Sequence, residues 1–268
     1  MDILEKIKKH KIKEVAERKN LVSLDELKAR VLYERSVFSM AEFVKNKDRT
    51  GVIAEFKKKS PSEGFINRDA DVEKITSGYI AAGASGLSVL TDEAFFGGSD
   101  EDLLAARQAN SSPVLRKDFT VDTYQIHEAK SIGADIILLI AEILTKEDVR
   151  RFSDVAHELG MEVLLEIHSE DQLEKYVDGI ELIGVNNRNL KDFTVDIRHS
   201  IDLFSNLPQK AVKISESGIR SADEMVTLAE AGFDGFLIGT QFMKTSDPVS
   251  ACTRLLDEFK RKMKIDAG

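Results

Sequence analysis

The sequence predicts an α/β protein of the (β/α)₈ barrel class with an N-terminal helical extension, and three observations lead to this prediction. From residue 51 onward, eight short aliphatic or β-branched segments recur with amphipathic helical patterns between them. Glycine-containing strings at 81–85, 132–135 and 231–234 each precede a predicted strand, as expected where a helix ends in a left-handed turn. Residues 49–268 of the 268-residue chain are a usual length for one barrel domain.

The predicted strands share a high content of Val, Ile and Leu. They span residues 51–56, 86–90, 114–117, 135–140, 162–167, 182–186, 212–215 and 235–239. Between them, residues that commonly cap the first turn of a helix mark helix starts at Asp71, Thr145, Ser169 and Ser221. We therefore expect one helix after each strand, which is the repeat that closes into a barrel.

Residues 1–48 do not follow this alternation and are predicted to form a helical extension that caps the barrel. Two charged helical patterns cover 3–18 and 23–45, and Ser23 begins the second of them. Their Lys and Glu side chains are expected to form a solvated face. The apolar residues expected to pack beneath this face are Leu21, Leu24, Leu27, Val31 and Leu32.

The composition argues against several classes of partner. The chain has 38 basic and 47 acidic residues, a net charge of −9, so it has no general attraction for nucleic acid. No apolar run reaches the roughly 20 residues of a membrane span, and the single Cys252 cannot form an internal disulfide. Because Met1 opens directly onto a charged helix pattern, we expect a cytoplasmic protein with a small-molecule partner and no obligatory protein partner.

Other architectures and chemistries find less support in the sequence. An open, doubly wound sheet is the alternative fold, but neither G-x-G-x-x-G nor G-x-x-x-x-G-K-[ST] occurs. The five histidines are scattered without H-x-x-x-H spacing, which argues against a zinc site, and no G-x-S-x-G elbow is present.

Polar residues at the carboxyl ends of the predicted strands are the candidate functional residues, because that end of a barrel carries the active site. Alternation along the first strand places Glu55 and Lys57 on the inward side. The same rule gives inward polar residues on later strands, namely Lys117, Glu166, Asn186, Arg188 and Glu216. These charges would shift one another's pKa values around one cavity. A purely structural ion-pair network that fills the barrel is the alternative.

The alternation also has a consequence for the outward side of the barrel. Arg116 and Lys213 face the helix layer, so their stems are expected to carry the charged groups out to solvent.

Glycines after the last two strands predict an anion site. Gly218 follows the seventh strand and Gly239 and Thr240 follow the eighth, where backbone N–H groups bind phosphate in many barrels. Glycine in such a turn is otherwise ordinary turn geometry. After the second strand, Phe95 is a candidate wall for an aromatic ring, with a packed loop anchor as the alternative.

Several strings closely resemble the indole-3-glycerol phosphate synthase family. They are IAEFKKKSPS at 53–62, LRKDF at 115–119, LEI at 165–167, GVNNRNL at 184–190 and SESGI at 215–219, with DILEKI at 2–7. The resemblance covers essentially the whole chain and implies a TIM barrel with a helical extension. It also implies a carbon–carbon lyase of tryptophan biosynthesis that needs no metal or organic cofactor. Its reaction closes 1-(2-carboxyphenylamino)-1-deoxyribulose 5-phosphate to an indole with loss of carbon dioxide and water.

The resemblance further implies roles for individual residues. Lys117 matches the family's general acid and Glu166 its general base. The other members of the implied catalytic set are Glu55, Lys57, Asn186, Glu216 and Ser217. The implied substrate contacts are Ser60 and Arg188 for anionic groups, Phe95, Phe119 and Leu190 for the anthranilate ring, and Gly218, Gly239 and Thr240 for phosphate. Thr240 replaces a serine that is common in the family.

Two other functions stay open at the level of the sequence. The same barrel could be a phosphosugar isomerase or a Schiff-base aldolase, with Lys117 or Lys57 as the nucleophile. It could also bind a phosphosugar without catalysis, in which case the charged ring would have no role in turnover.

Overall fold

The computed structural model describes residues 3–189 and 194–264, and within them eight parallel strands close into a barrel. The strands are β1 (Val52–Phe56), β2 (Gly86–Leu90), β3 (Val114–Lys117), β4 (Ile136–Ile140), β5 (Glu162–Ile167), β6 (Leu182–Asn186), β7 (Val212–Glu216) and β8 (Gly235–Ile238). Each strand pairs with its neighbours in the chain, and β8 pairs with β1. The predicted barrel is confirmed, and an open sheet is wrong.

Helices surround the strands. They span Val72–Ala81, Glu93–Phe96, Asp100–Ala109, Tyr124–Ser131, Lys146–Glu158, Arg198–Leu203, Ala222–Ala231, Thr240–Met243 and Pro248–Met263, with 3₁₀ turns at Glu170–Lys175 and Phe204–Asn206. After β1, Lys59–Ser60 and Gly64–Phe65 form a short antiparallel hairpin.

The predicted helix starts are confirmed at three of the four positions. The side chains of Asp71, Thr145 and Ser221 each accept a hydrogen bond from a backbone N–H in the first turn that follows. Ser169 makes no such bond and precedes only a 3₁₀ helix. The expectation of one α-helix after each strand is therefore wrong after β5, because that segment tightens into i to i+3 turns.

The N-terminal extension begins with helix α1 (Ile3–Leu21), which agrees with the sequence pattern. The second predicted helix, 23–45, is wrong: it is divided into Leu24–Lys28 and Met40–Lys45. Between these helices, Arg35 and the backbone of Phe38 are bound to the barrel through Asp135. Tertiary bonds thus hold this connection in a non-helical path against the helical preference of its residues.

The break in the helix also changes which apolar residues are covered. Leu27 is fully buried and packs with Val15 and Tyr124. Leu21, Leu24 and Val31, which were expected to be buried, are 79%, 37% and 93% exposed. The prediction of a shared buried face is wrong because Leu21 ends α1, Leu24 begins the next short helix and Val31 follows that helix.

Arg116 faces the helix layer as predicted but does not reach solvent. Its side chain is only 3% exposed, and its guanidinium contacts Glu128 at 2.8 Å and Asp100 at 3.0 Å. The expectation of an emerging side chain is wrong because carboxylates on the surrounding helices pair with the charge inside the protein. Lys213 stays partly exposed and donates to the carbonyl oxygen of Ala211 at 3.2 Å.

Asp135 fixes the connection between the short N-terminal helices to the amino-terminal end of the barrel. The carboxylate is fully buried and accepts hydrogen bonds from Arg35 at 2.5 Å and from Arg107 at 2.8 Å. The backbone N–H groups of Phe38 and Val114 also donate to it, each at 2.8 Å. One carboxylate therefore joins two arginines, the connection and strand β3.

Replacing this carboxylate should destabilise the fold strongly. Asp135→Ala is expected to lower the free energy of unfolding by about 3–5 kcal/mol, because two arginines lose a buried partner. Urea denaturation measures this value. The exposed Asp154, changed to Ala, is the control and should shift it by less than about 0.5 kcal/mol. Equal losses in the two variants would refute the role of Asp135.

Candidate active site

A cavity of about 310 Å³ opens at the carboxyl ends of the strands, and almost all predicted site residues line it. Those lining residues are Glu55, Lys57, Ser60, Lys117, Phe119, Glu166, Asn186, Arg188, Glu216, Ser217, Gly218, Gly239 and Thr240. Phe95 does not line the cavity, and Leu190 lies outside the described residues. Alternation along the strands thus brings together side chains that are far apart in sequence.

Lys117, at the end of β3, occupies the centre of the charged group. Its ammonium donates to Glu166 of β5 at 2.7 Å and to Glu216 of β7 at 3.0 Å. The lysine side chain is 14% exposed, and the two carboxylates are 5% and 1% exposed. A buried cation is therefore held between two buried acids that come from different strands.

The burial and proximity of these groups displace all three pKa values. Burial opposes the charge of Lys117, but Glu166 and Glu216 outweigh it and raise the lysine pKa above its ordinary value. Burial also opposes ionisation of Glu166, yet the lysine charge lowers that pKa to about 2. At Glu216, burial and the repulsion of Glu166 prevail and raise the pKa to about 8. Near neutral pH, the group holds an ammonium, a carboxylate and a protonated acid.

Asn186 orients Glu166, and a second neighbour lies close to it. The side-chain amide of Asn186 donates to its Oε1 at 3.1 Å. His168, which the sequence analysis did not select, lies with Nε2 3.4 Å from the same oxygen. Burial lowers the pKa of His168 and so favours the neutral imidazole.

Glu55 of β1 and Lys57, which directly follows this strand, form a second ion pair in the same cavity, with 2.5 Å between Nζ and Oε1. Two glycines leave room for the acids of the site. A Cβ atom at Gly239 would approach Glu55 Oε1 to 2.6 Å, and one at Gly184 would collide with Glu216 Oε1. These positions must therefore lack a side chain if the carboxylates are to keep their places.

The turn after β7 places two successive residues in the left-handed region of backbone conformation. Ser217 has φ +68° and Gly218 has φ +79°, and a non-glycine residue in this region is strained. Asn187 supports the turn by donating to the carbonyl oxygen of Ser217 at 3.1 Å. Gly239 and Thr240 line the cavity with this turn, and so do the basic residues Arg220 and Lys244, which the sequence analysis missed.

The aromatic wall differs from the prediction by one residue. Phe96, not Phe95, lines the cavity together with Phe119, and the two ring centroids are 5.9 Å apart. Phe95 instead makes a T-shaped contact with the His10 ring, and the two ring centroids are 5.5 Å apart. Asp92 caps the short helix Glu93–Phe96, and successive residues on a helix point about 100° apart, so only one of the two rings can face inward.

Helix α1 contributes to the site, which the sequence analysis did not foresee. Ile3, Leu4 and Ile7 line the cavity and extend its apolar wall. The available signal was their spacing of one and four residues along a helix, but this spacing equally fits packing on the outside of a barrel.

The described part of the chain has neither a cluster of metal-binding side chains nor a helix that could cross a membrane. Across residues 3–189 and 194–264, no cluster of three or more His, Cys, Asp or Glu side chains could hold a metal ion. Over the same ranges, every helix is too short or too polar to cross a membrane.

Comparisons with known sequences agree on one family. The family profile described as Indole-3-glycerol phosphate synthase matches residues 4–255. The protein of that name from Bacteroides thetaiotaomicron is 47% identical over 247 residues, which cover 92% of this chain and 95% of the relative. That from Neisseria meningitidis serogroup B is 45% identical over 250 residues, with 92% and 96% covered.

Among solved structures, 3-hexulose-6-phosphate synthase from Salmonella typhimurium is similar with a TM-score of 0.60 and 13% identity, covering 78% of this chain and 98% of that one. A chain of the tryptophan synthase α2β2 complex from Pyrococcus furiosus has a TM-score of 0.57 and 14% identity, with 78% and 96% covered. At such identities, the likeness concerns the barrel fold alone.

The raised pKa of Glu216 predicts a specific dependence of stability on pH. An unfolded glutamate loses its proton near pH 4.5, whereas native Glu216 keeps it to about pH 8. The stability that Glu216 contributes is therefore fully present at low pH. As pH rises from 5 to 8 it is lost, and the free energy of unfolding falls by about 1 kcal/mol per pH unit. Glu216→Gln should remove this slope from the free energy of unfolding, measured by urea denaturation at pH 5, 6.5 and 8.

The exposed Glu230 provides the matched control for this measurement. Glu230→Gln should run parallel to the wild type across the three pH values. If the free energy of unfolding of Glu216→Gln also changes with pH as that of the wild type does, Glu216 has the same pKa in the folded and unfolded states and the prediction is wrong.

Proposed function

The chain belongs to the indole-3-glycerol phosphate synthase family, and we propose that it closes 1-(2-carboxyphenylamino)-1-deoxyribulose 5-phosphate to indole-3-glycerol phosphate in tryptophan biosynthesis. The reaction loses carbon dioxide and water. The observation that carries the proposal is the ammonium of Lys117 held by Glu166 and Glu216 inside a cavity with an apolar wall and a glycine-containing turn.

We assign the first proton transfer to Lys117. Ring closure forms a bond between the ring carbon that bears the carboxylate and the ketose carbonyl carbon, and negative charge develops on the carbonyl oxygen. Lys117 is protonated because the Glu166 carboxylate stabilises its charge and Glu216 accepts a second hydrogen bond, so it can supply a proton to this oxygen. Breaking the bond to the carboxylate then releases carbon dioxide and returns its electron pair to the ring system.

We assign the later proton removal to Glu166. In the resting site, the lysine charge makes this carboxylate a weak base, with a pKa of about 2. Once Lys117 has given up its proton, that charge is gone and the basicity of Glu166 increases. The base is thus strengthened at the stage when a proton must leave carbon. Glu166 takes this proton and passes it to the departing hydroxyl group, which leaves as water, and solvent returns a proton to Lys117.

The remaining polar residues are proposed to bind and orient the substrate. Asn186 fixes Glu166, and Glu55, Lys57 and Ser217 surround the reacting centre. Ser60 and Arg188, which line the cavity, are proposed to bind the substrate carboxylate or other anionic groups. Gly218, Gly239 and Thr240 are proposed to bind phosphate mainly through backbone N–H groups, so threonine in place of serine should matter little.

The apolar wall is proposed to bind the anthranilate ring and to favour decarboxylation. Phe96 and Phe119 stand on one side of the cavity, and Leu138 and Ile140 of β4 also line it. A carboxylate held in such surroundings loses hydration, whereas neutral carbon dioxide does not depend on it. The wall thereby stabilises the charge-dispersed transition state relative to the bound substrate.

The domain division, the cofactor requirement, the cell compartment and the partner are proposed on the same grounds. We propose a division into an extension, 1–48, and a barrel, 49–268, that form one catalytic unit because α1 lines the cavity. The lysine and the two acids can supply each proton transfer, so the proposed reaction uses no cofactor. A reducing cytoplasm suits the single buried Cys252, and the proposed partner is a phosphorylated small molecule, with no obligatory protein partner.

Turnover should depend steeply on the acid and the base. Purified wild-type protein is expected to form indole product, followed by fluorescence, from the carboxyphenylamino ketose phosphate. Lys117→Ala and Glu166→Gln should each lower kcat by at least about a hundredfold. Lys210→Ala and Glu230→Gln, both at exposed positions, should retain wild-type rates.

Two outcomes would refute the proposal. A wild-type protein that binds this substrate without releasing indole would be a binding protein and not a synthase. A lysine adduct trapped by borohydride would indicate Schiff-base chemistry, which needs an uncharged amine and which the raised pKa of Lys117 opposes.

A further inference from the structure

Lys11 is a buried lysine that the proposed mechanism does not use. It lies in α1 and is 1% exposed, although lysine is rarely buried without a specific partner. Its ammonium is 2.9 Å from Asp92 Oδ2, 3.0 Å from Asp118 Oδ1 and 3.0 Å from Glu14 Oε2. The two aspartates follow β2 and β3, so Lys11 connects the extension with two loops at the catalytic end of the barrel.

Each of these aspartates holds the backbone of one aromatic wall residue. Asp92 is fully buried, and its Oδ1 accepts the N–H groups of Phe95 at 2.7 Å and Phe96 at 3.2 Å. Asp118 accepts the N–H of Phe119 at 2.8 Å. The ammonium of Lys11 therefore contacts both of the carboxylates that set the positions of Phe96 and Phe119.

Lys11 also fixes the third part of the wall. Ile7 lies four residues earlier on α1 and therefore on the same face of the helix, and it lines the cavity with Ile3 and Leu4. Fixing Lys11 thus fixes the apolar end of α1 against the two loops. The ammonium of Lys11 thus connects three separate segments of the cavity wall.

We propose that Lys11 is a positioning residue for the aromatic ring of the substrate. It holds α1, the Asp92 loop and the Asp118 loop at one mutual spacing, and this spacing sets the width of the apolar slot. The identity of the ring as an anthranilate rests on the function proposed above, whereas the positioning of the three segments does not.

The chemistry of the contact favours positioning over simple stability. Burying an ammonium and its carboxylates is expensive, and well-packed apolar residues of similar volume are often as stabilising. What apolar packing lacks is a set of specific partners, since an ammonium has three N–H donors and can bond three acceptors at once. Lys11 is also too far along α1 to be among the lining residues, so it acts through Asp92 and Asp118.

Lys11→Met tests the proposal, with Lys19→Met as its matched control. Lys19 lies on the same helix and pairs with Asp122 at 2.6 Å, but both groups are partly exposed and neither residue lines the cavity. Lys11→Met should raise KM by roughly tenfold with a smaller change in kcat, because the ring loses a fixed slot while Lys117 and Glu166 stay. The inhibition constant of inorganic phosphate and all constants of Lys19→Met should remain unchanged.

Hydrogen exchange supplies a readout that does not depend on activity. In Lys11→Met, the amide hydrogens of Phe96 and Phe119 should exchange roughly tenfold faster, while that of Leu164 in β5 should change far less. Acceleration of all three amides to one extent, with KM unchanged, would make Lys11 a general stabilising residue and overturn the proposal. This result is distinct from failure of the proposed function, which would appear as absence of indole from the wild type.

Asp92→Asn keeps the test decisive if Lys11→Met does not fold. An asparagine oxygen can still cap Glu93–Phe96, but one of the three carboxylate charges that bind Lys11 is lost. We expect a rise in KM and faster exchange at Phe96 in the same direction as for Lys11→Met and of smaller size. Wild-type values for both quantities would refute the role of Lys11.

Discussion

The site depends on a single electrostatic constraint: the ammonium of Lys117 is buried between Glu166 and Glu216. None of the three charges would be favourable alone in this cavity, because desolvation opposes each of them. Together the three groups adopt a state in which Lys117 is charged, Glu166 is ionised and Glu216 retains its proton. Because the acid and the base are neighbours, a proton leaving one alters the strength of the other. The same contact therefore accounts for both the stability of the group and its proposed chemistry.

The barrel explains how these groups meet. Glu55, Lys117, Glu166 and Glu216 come from β1, β3, β5 and β7, and alternate strands of a barrel contribute side chains to one common layer. Strand pairing places Glu166 beside Gly184 and Asn186 beside Glu216. The glycine makes room for the Glu216 carboxylate, and the asparagine orients that of Glu166. The extension then closes the apolar side through Ile3, Leu4 and Ile7.

Much of this arrangement follows from local rules, and the exceptions share a physical cause. Period-two alternation was sufficient to predict that Glu55, Lys117, Glu166 and Glu216 face one cavity, because a strand in a closed barrel has only two sides. The path between Lys28 and Met40 could not be predicted, since it depends on the distant Asp135. Arg116 is buried because Asp100 and Glu128 approach it in three dimensions. The choice of Phe96 over Phe95 depends on the rotation of a four-residue helix, which composition does not determine. The motif resemblance named the reaction but not the contribution of α1 to the site.

Direct observation of the Lys117 ammonium would test the central claim most sharply. Side-chain NMR of isotopically labelled lysine, with Lys117→Arg to assign the signal, reports the protonation of this amine in the folded protein. The signal should still be that of an ammonium at pH 10.5, the ordinary lysine value at which an exposed lysine is half deprotonated. A Lys117 that loses its proton at or below that pH would contradict the account, because the two acids would then fail to stabilise its charge.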